Sequence, residues 1–235
     1  MNKIAIAIAG IAALIGTPAL AAAPVYSWTG FYIGANAGFS FGRDPATITD
    51  ASLGQALESF NALPYGPVGG GQIGYNWQFA PNWVLGFEGD FQGAAQNDRV
   101  CVGSGCSNPG SAFYFTDTQN LFWFATARAR FGYTGSPWLW YVTGGGAWGG
   151  IHNDFRTFTP TDVAFAADFN LSGWTVGGGF EWQLGGPWTA KLEYLYMDLG
   201  SFTDGGFDPI SGHTFLMTSA VRDNIVRVGL NYQFD

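Results

Sequence analysis

The sequence predicts an all-β protein, an eight-stranded antiparallel up-and-down transmembrane β-barrel with short periplasmic turns and long extracellular loops. The 235 residues include 36 Gly, 10 Trp, 10 Tyr and 21 Phe, and only 11% are charged, a composition typical of a membrane-facing β protein. Eight segments alternate apolar and polar residues with a period of two. The connections between them alternate between short and long, as in outer-membrane barrels.

The composition also disfavours other classes of protein. No run beyond residue 23 approaches the roughly 18 apolar residues that a spanning helix needs, and each glycine inside a helix would cost about 1 kcal/mol relative to alanine. The 17 acidic against 9 basic residues argue against nucleic acid, which requires clustered cations. Barrels and β-sandwiches remain.

The first residues resemble a secretory signal peptide. Lys3 precedes an apolar stretch over residues 4–15, and the small-residue tripeptide 19–21 ends in Ala21. This pattern predicts export and cleavage after Ala21. We therefore expect a signal peptide over residues 1–21 and an outer-membrane β-barrel domain over residues 22–235.

Each alternating segment has about ten residues, the length that a tilted strand needs to cross a bilayer. One face of each is apolar and predicted to contact lipid, whereas the other is small or polar and predicted to line the lumen. The facing of residues 138–150 stays open because aromatic residues occupy both sides. The predicted strands cover residues 30–43, 71–79, 83–92, 120–133, 138–150, 174–184, 188–196 and 226–234.

Three connections are predicted to be tight turns, at residues 80–82, 134–137 and 185–187, and four to be long polar loops, at 44–66, 95–117, 151–170 and 201–223. Aromatic residues lie mainly near the short-turn ends, which predicts a girdle at the membrane interface. The predicted girdle consists of Trp28, Tyr75, Trp77, Trp83, Tyr133, Trp138, Trp182, Trp188, Tyr194, Tyr196 and Tyr232.

Several stretches resemble a known family. They read YSWTGFYIGANAGFSFG, ATARARFGY, WYVTGGGAWG, KLEYLYMDLG and NIVRVGLNYQF, and they are similar to the alphaproteobacterial porin-like outer-membrane proteins of the OmpA-type β-barrel superfamily. The resemblance implies an eight-stranded barrel, insertion by the outer-membrane assembly machinery, and roles in envelope integrity and host contact. Tyr232 and Phe234 match the family's aromatic C-terminal assembly signal, although Asp235 follows them here.

The polar faces predict a balanced charge network in the lumen. An eight-stranded barrel is only wide enough for its own side chains, and buried charges persist only when they are paired. We therefore expect a lumen that plugs itself, and the alternative is a narrow pore lined by charge rings. The network consists of Glu88, Asp90, Arg128, Arg130, Glu181, Lys191, Glu193 and Arg227.

Cys101 and Cys106 lie in a Gly/Ser-rich segment of a chain predicted to be exported. Exported proteins meet an oxidising environment in which neighbouring thiols pair. We expect a local disulfide that holds the tip of the second long loop.

Sequence motifs for catalysis lack the context that they need. Ser40 stands in a G-x-S-x-G string within an alternating strand, whereas a nucleophile elbow requires a strand-to-helix turn. Ser211 and His213, with Asp204 or Asp208, are the best hydrolase candidates. A metal site would have to be built from Asp204, Asp208, His213 and Asp223, which have no recognisable spacing. We predict no catalytic, metal or cofactor site.

The predicted function is a structural role in envelope integrity together with surface interaction. A narrow porin for small solutes is the alternative, and an envelope lipid-modifying enzyme is a remote one. The expected partners are outer-membrane lipid and lipopolysaccharide, the assembly machinery, and host or envelope surface ligands, with no nucleic acid.

Overall fold

The structure is a computed structural model that describes residues 26–103, 106, 114–135, 137–158 and 162–234. The predicted signal peptide, residues 1–21, lies outside these ranges. In this part of the chain, no helix is long and apolar enough to cross a membrane. The strands of the described residues are β1 Gly30–Gly42, β2 Asp44–Asp50, β3 Gln55–Ala62, β4 Tyr65–Ala80, β5 Trp83–Val102, β6 Tyr114–Thr134, β7 Trp138–Phe158, β8 Asp162–Gly185, β9 Trp188–Asp208 and β10 His213–Gln233.

Eight of these strands form a closed antiparallel ring. The order runs β1, β4, β5, β6, β7, β8, β9, β10, and β10 pairs with β1 over Gln233↔Tyr32 to Asp223↔Gly42. Closure leaves no unpaired strand edge in this ring, as a barrel in lipid requires. The predicted eight-stranded up-and-down barrel is confirmed.

The two further strands continue members of the ring. β2 follows β1 after Arg43 and also pairs with β10, whereas β3 returns along β2 and leads into β4. The Gly42 N–H donates to the Pro64 carbonyl over 2.7 Å where the two strands are interrupted. β1–β2 and β3–β4 are therefore two chain passes, each with a break.

The prediction that the four long connections are loops is wrong for most of their length. β5 extends to Val102 and β7 to Phe158, and β8 alone contains 24 residues. A bilayer crossing needs only about 9–11 residues, so the sheet continues well beyond the membrane. These segments are polar, as loops are, because their outward side chains face water. Their alternation of inward and outward residues nevertheless continues, as in a strand.

Facing follows the predicted alternation within the membrane. Phe31 and Leu192 are 62% and 52% exposed on the outer wall, whereas Gln72 on a neighbouring strand is 3% exposed and faces inward. In β7, Trp140 points outward and Tyr141 inward, which resolves the facing that the sequence left open.

Leu121 departs from this alternation, because it was predicted to face outward and is instead buried in the lumen. The β6–β7 register shifts between Leu121 and Trp123, and such a bulge turns the side chains on one side of it to the opposite face. Phe122 therefore faces outward and Phe124 inward.

A charge on the outer wall should destabilise the barrel. Leu192→Arg would put a guanidinium against lipid and is expected to cost about 2–4 kcal/mol of unfolding free energy near the midplane. Ser201→Arg, on the exposed part of the same strand, is the control and should cost less than 1 kcal/mol. Urea unfolding in lipid vesicles measures both, and equal stability of the two variants would contradict the assigned facing.

Candidate functional site

The lumen is the candidate functional site because, among the residues that the structure describes, most buried polar side chains lie there. Its contents form three successive layers: an aromatic cap at the short-turn end, a charged layer above it, and an apolar layer towards the extracellular end.

The aromatic cap is formed by the segment that precedes β1. Trp28 is 1% exposed and packs with Val84, Leu139 and Tyr141. Its backbone N–H donates to Gln78 Oε1 over 3.0 Å, and Gln233 Nε2 donates to the carbonyls of Ser27 and Thr29. The prediction that Trp28 belongs to the lipid-facing girdle is wrong, because these bonds fold the segment inward across the barrel mouth.

The structure brings all eight predicted lumen charges together in one layer, where none of their side chains is more than 3% exposed. Glu88 is central: Lys191 Nζ lies 2.8 Å from its Oε1, and Arg128 and Arg130 also contact it. Each carboxylate has at least one cation within 3 Å, which is the pairing that burial requires.

The remaining contacts link the other acids of the layer. Arg227 Nη2 lies 2.6 Å from Glu193 Oε2 and 2.9 Å from Asp90 Oδ2. Arg130 Nη2 lies 2.8 Å from Glu181 Oε2.

Strand register sets up this layer. Glu88 stands opposite Arg128 in the β5–β6 pair, Glu181 opposite Lys191 in β8–β9, and Glu193 opposite Arg227 in β9–β10. Opposite charges at directly facing positions stabilise a sheet. Neighbouring strands therefore already place charges of opposite sign side by side, and the contacts across the lumen add to these pairs.

Neutral side chains complete the layer, and sequence reasoning did not single them out. The Tyr32 hydroxyl donates to Glu88 over 2.7 Å, and the Tyr141 hydroxyl donates to Glu193 over 2.8 Å. Arg130 lies 3.9 Å from the Tyr141 ring centroid, a cation–π contact. Because Tyr32 alternates with lipid-facing residues, its sequence position predicts an inward side chain. The sequence does not predict the facing of Tyr141, because aromatic residues occupy both faces of its strand. Thr126, Thr189 and Asn231 donate further hydrogen bonds to the carboxylates.

The apolar layer fills the lumen beyond the charges. Phe124, Phe155, Phe215, Leu195 and Met197 are all at most 2% exposed and belong to one buried cluster. Aromatic rings touch within it: Phe115 stacks on Phe155 of the neighbouring strand at 5.9 Å between centroids and meets Phe215 of β10 edge to face at 5.6 Å. The upper barrel therefore has a core resembling that of a soluble protein, and the sequence analysis did not predict it.

Two buried carboxylates of the extracellular part, those of Asp44 and Asp117, are held by hydrogen bonds. Asp44 Oδ1 accepts from the Arg222 backbone N–H, and Asp117 Oδ2 accepts from Gln119 Nε2. Burial raises the pKa of Asp44 to about 8 and that of Asp117 to about 7, from an ordinary 3.8. Because a raised pKa means tighter proton binding in the folded state, the stability that protonation of these groups contributes is full below pH 3.8 and is lost as pH rises through 7 to 8.

The other predicted site residues lie at the two ends. Cys101 and Cys106 are joined, with 5.8 Å between their Cα atoms, at the extracellular end of β5. Tyr232 and Phe234 face outward at the short-turn end, and their rings meet edge to face at 5.2 Å. Asp235 lies outside the described residues.

The hydrolase and metal candidates do not assemble. The His213 ring places Nδ1 2.6 Å from Asp50, whereas Ser211 Oγ donates to Asp208. Ser211 Oγ accepts from the His213 backbone N–H over 3.3 Å, but among the described residues it makes no hydrogen bond with the ring. Ser40 is buried and donates to Asp223. Within the described residues, no group of three or more His, Cys, Asp or Glu could hold a metal ion.

Comparison with known proteins gives concordant results. The family model for the outer membrane protein beta-barrel domain matches residues 9–234. A 31 kDa outer-membrane immunogenic protein of Brucella melitensis biotype 1 is 37% identical over 246 residues, which cover 97% of this chain and 98% of the relative.

Two solved structures show the same fold at low identity. The outer membrane protein OprG from Pseudomonas aeruginosa gives a TM-score of 0.52 at 14% identity and covers 88% of this chain and 97% of its own. The outer membrane protease OmpT from Escherichia coli gives 0.53 at 10% identity, with 87% and 97% covered.

Removing one central charge should destabilise the barrel strongly. Glu88→Gln leaves Lys191 and two arginines undercompensated in a dry environment, and we expect a loss of about 3–5 kcal/mol. Glu58→Gln on the exposed face of β3 is the matched control, with an expected change below 1 kcal/mol. Urea unfolding in lipid vesicles tests both, and a Glu88→Gln barrel as stable as its control would show that the ion pairs are not needed.

Proposed function

The chain belongs to the outer membrane β-barrel domain family, and we propose that it acts as a sealed outer-membrane barrel with a structural and surface-interaction role. It is an outer-membrane protein, as its relatives are. The finer role, in envelope integrity and in contact with surface ligands, is the proposal.

The observation that carries the proposal is the filling of the lumen at three levels. A solute entering from the periplasm would meet Trp28, then the paired charges around Glu88, then the aromatic cluster around Phe124. Separating a buried ion pair costs about 3–5 kcal/mol, and an apolar layer excludes water. The ion pairs and the apolar layer would each oppose the continuous water column that a narrow porin needs.

A non-enzymatic role is part of the same proposal. The protease OmpT shares the fold at 10% identity, and a shared fold does not carry an activity with it. The described residues bring no serine or cysteine nucleophile within hydrogen-bond distance of a histidine ring. This arrangement also gives no support to an envelope lipid-modifying enzyme.

Surface contact is supported by the part of the barrel that extends beyond the membrane. β2 and β3 form a hairpin, and β3 is exposed over most of its length. The disulfide between Cys101 and Cys106 lies at the extracellular end of β5. The Brucella relative is named an immunogenic outer-membrane protein. We propose that this extension presents the residues that host or envelope surface ligands meet.

The proposed membrane partners follow from the outer wall and its lower end. Phe31, Ile73 and Val228 are among the apolar side chains that face outward and would contact lipid and lipopolysaccharide. Tyr232 and Phe234 would present the aromatic assembly signal to the insertion machinery.

Conductance measurements test the sealed state. We expect the purified barrel in a planar bilayer to show no stable conductance above that of the bare membrane, because its three layers block the lumen in series. Openings should become frequent only in a variant that thins all three layers, such as Trp28→Ala, Arg128→Ala, Glu193→Ala and Phe124→Ala combined.

Variants limited to one layer are the controls for this series. Trp28→Ala alone, or Arg128→Ala with Glu193→Ala, should stay closed because the other layers remain. A large, long-lived open state of the unmodified protein would refute the sealed barrel and favour the porin.

A further inference from the structure

Two arginines face each other on the outside of the barrel wall. Arg43 follows β1 and Arg222 lies on β10, and the Arg43 N–H donates to the Arg222 carbonyl over 3.0 Å, continuing the register of Gly42↔Asp223. Both side chains are exposed, whereas their neighbours Asp44 and Asp223 are buried in the lumen. Directly opposed residues of an antiparallel pair have Cβ atoms about 5 Å apart.

The positive charge of this pair is only partly neutralised. Arg222 Nε lies 3.1 Å from Asp198 Oδ2, and its terminal nitrogens have no partner among the described residues. The Arg43 guanidinium likewise has no ion pair or hydrogen bond within those residues. Like charges directly opposite each other destabilise a sheet, so an anion bridging the two would relieve the repulsion.

The pair sits where the outer wall changes from apolar to polar. Just below it, Phe41 and Val226 are 48% and 41% exposed on the lipid-facing wall, and the Phe41 partner Tyr65 is exposed beside them. Above it, threonines take outward positions on β2 and β10, as at Thr47 and Thr218. This boundary on the extracellular side is the level of the outer-leaflet headgroups.

We propose that Arg43 and Arg222 together bind a phosphate group of an outer-leaflet glycolipid. The two guanidinium groups offer planar forks that bind phosphate bidentately, and the acyl chains would lie along Phe41 and Val226. The site depends on the outer-membrane location and not on whether the lumen conducts, so the conductance result and this one are independent.

Direct contact with arginine distinguishes this site from a cation bridge. Acidic side chains elsewhere on the extracellular part could bind lipid phosphates only through a bridging divalent cation. An arginine pair binds phosphate directly and needs no such cation. Binding at Arg43 and Arg222 should therefore persist in EDTA.

The test uses the refolded full chain in detergent micelles with EDTA, and native mass spectrometry measures its binding of bisphosphorylated lipid A and of fully dephosphorylated lipid A. We expect the unmodified barrel to prefer the phosphorylated form. Arg43→Gln or Arg222→Gln should weaken that binding about tenfold each, and the double variant about a hundredfold, since charge-assisted contacts are lost. The dephosphorylated form should bind all variants alike.

Arg99→Gln is the charge-matched control, because Arg99 is exposed on β5 well past the last lipid-facing aromatic, Phe91. It should leave binding unchanged. Arg43→Lys with Arg222→Lys keeps both charges but loses the forks, so it should show an intermediate loss even where the double Gln variant fails to refold.

Two results would overturn the proposal. In the first, the phosphorylated lipid binds the double Gln or double Lys variant as tightly as it binds the parent. In the second, millimolar inorganic phosphate displaces the lipid completely and the acyl chains add no affinity, which would assign the site to free phosphate.

Discussion

The pairing of eight charges inside a barrel too narrow for bulk water is the constraint on which the rest of the structure depends. Glu88 with Lys191, and Glu193 with Arg227, are buried almost completely, and an unpaired charge there would cost several kcal/mol. Pairing requires the register that sets Glu88 opposite Arg128. The same register turns the alternate residues, such as Phe87, outward to lipid.

Layers above and below the charges make the lumen a continuous core. The Trp28 segment closes the periplasmic mouth, and the cluster around Phe124 and Phe155 continues the packing beyond the membrane. The strands are about twice as long as a bilayer crossing requires. They stay paired outside the bilayer because their inward residues pack into the apolar cluster around Phe124 and Phe155. A filled lumen of this kind supports the proposed role in surface contact.

The sequence predicted the part of this arrangement that follows from alternation and from charge balance. Period-two patterns located the eight passes, and they placed Glu88, Asp90, Arg128 and Arg227 on the inward face. Alternation could not foresee the bulge beside Leu121, because a register shift depends on the neighbouring strand. It also could not show that Trp28 folds inward, since the bonds from Gln78 and Gln233 come from strands far away in sequence. The polar segments above the membrane resemble loops in the sequence, because their shared apolar core becomes visible only when the strands are packed together.

Access of a small reagent to the charged layer tests the central claim, that the lumen excludes water, most directly. Thr126 donates to Asp90 in that layer and is 4% exposed, so a cysteine at this position reports on the lumen without removing a charge. We expect Thr126→Cys in the folded barrel to resist a water-soluble methanethiosulfonate reagent and to react fully after unfolding, whereas Thr218→Cys on the outer surface reacts at once. Labelling of Thr126→Cys at the rate of Thr218→Cys would show a water-filled lumen and contradict the account.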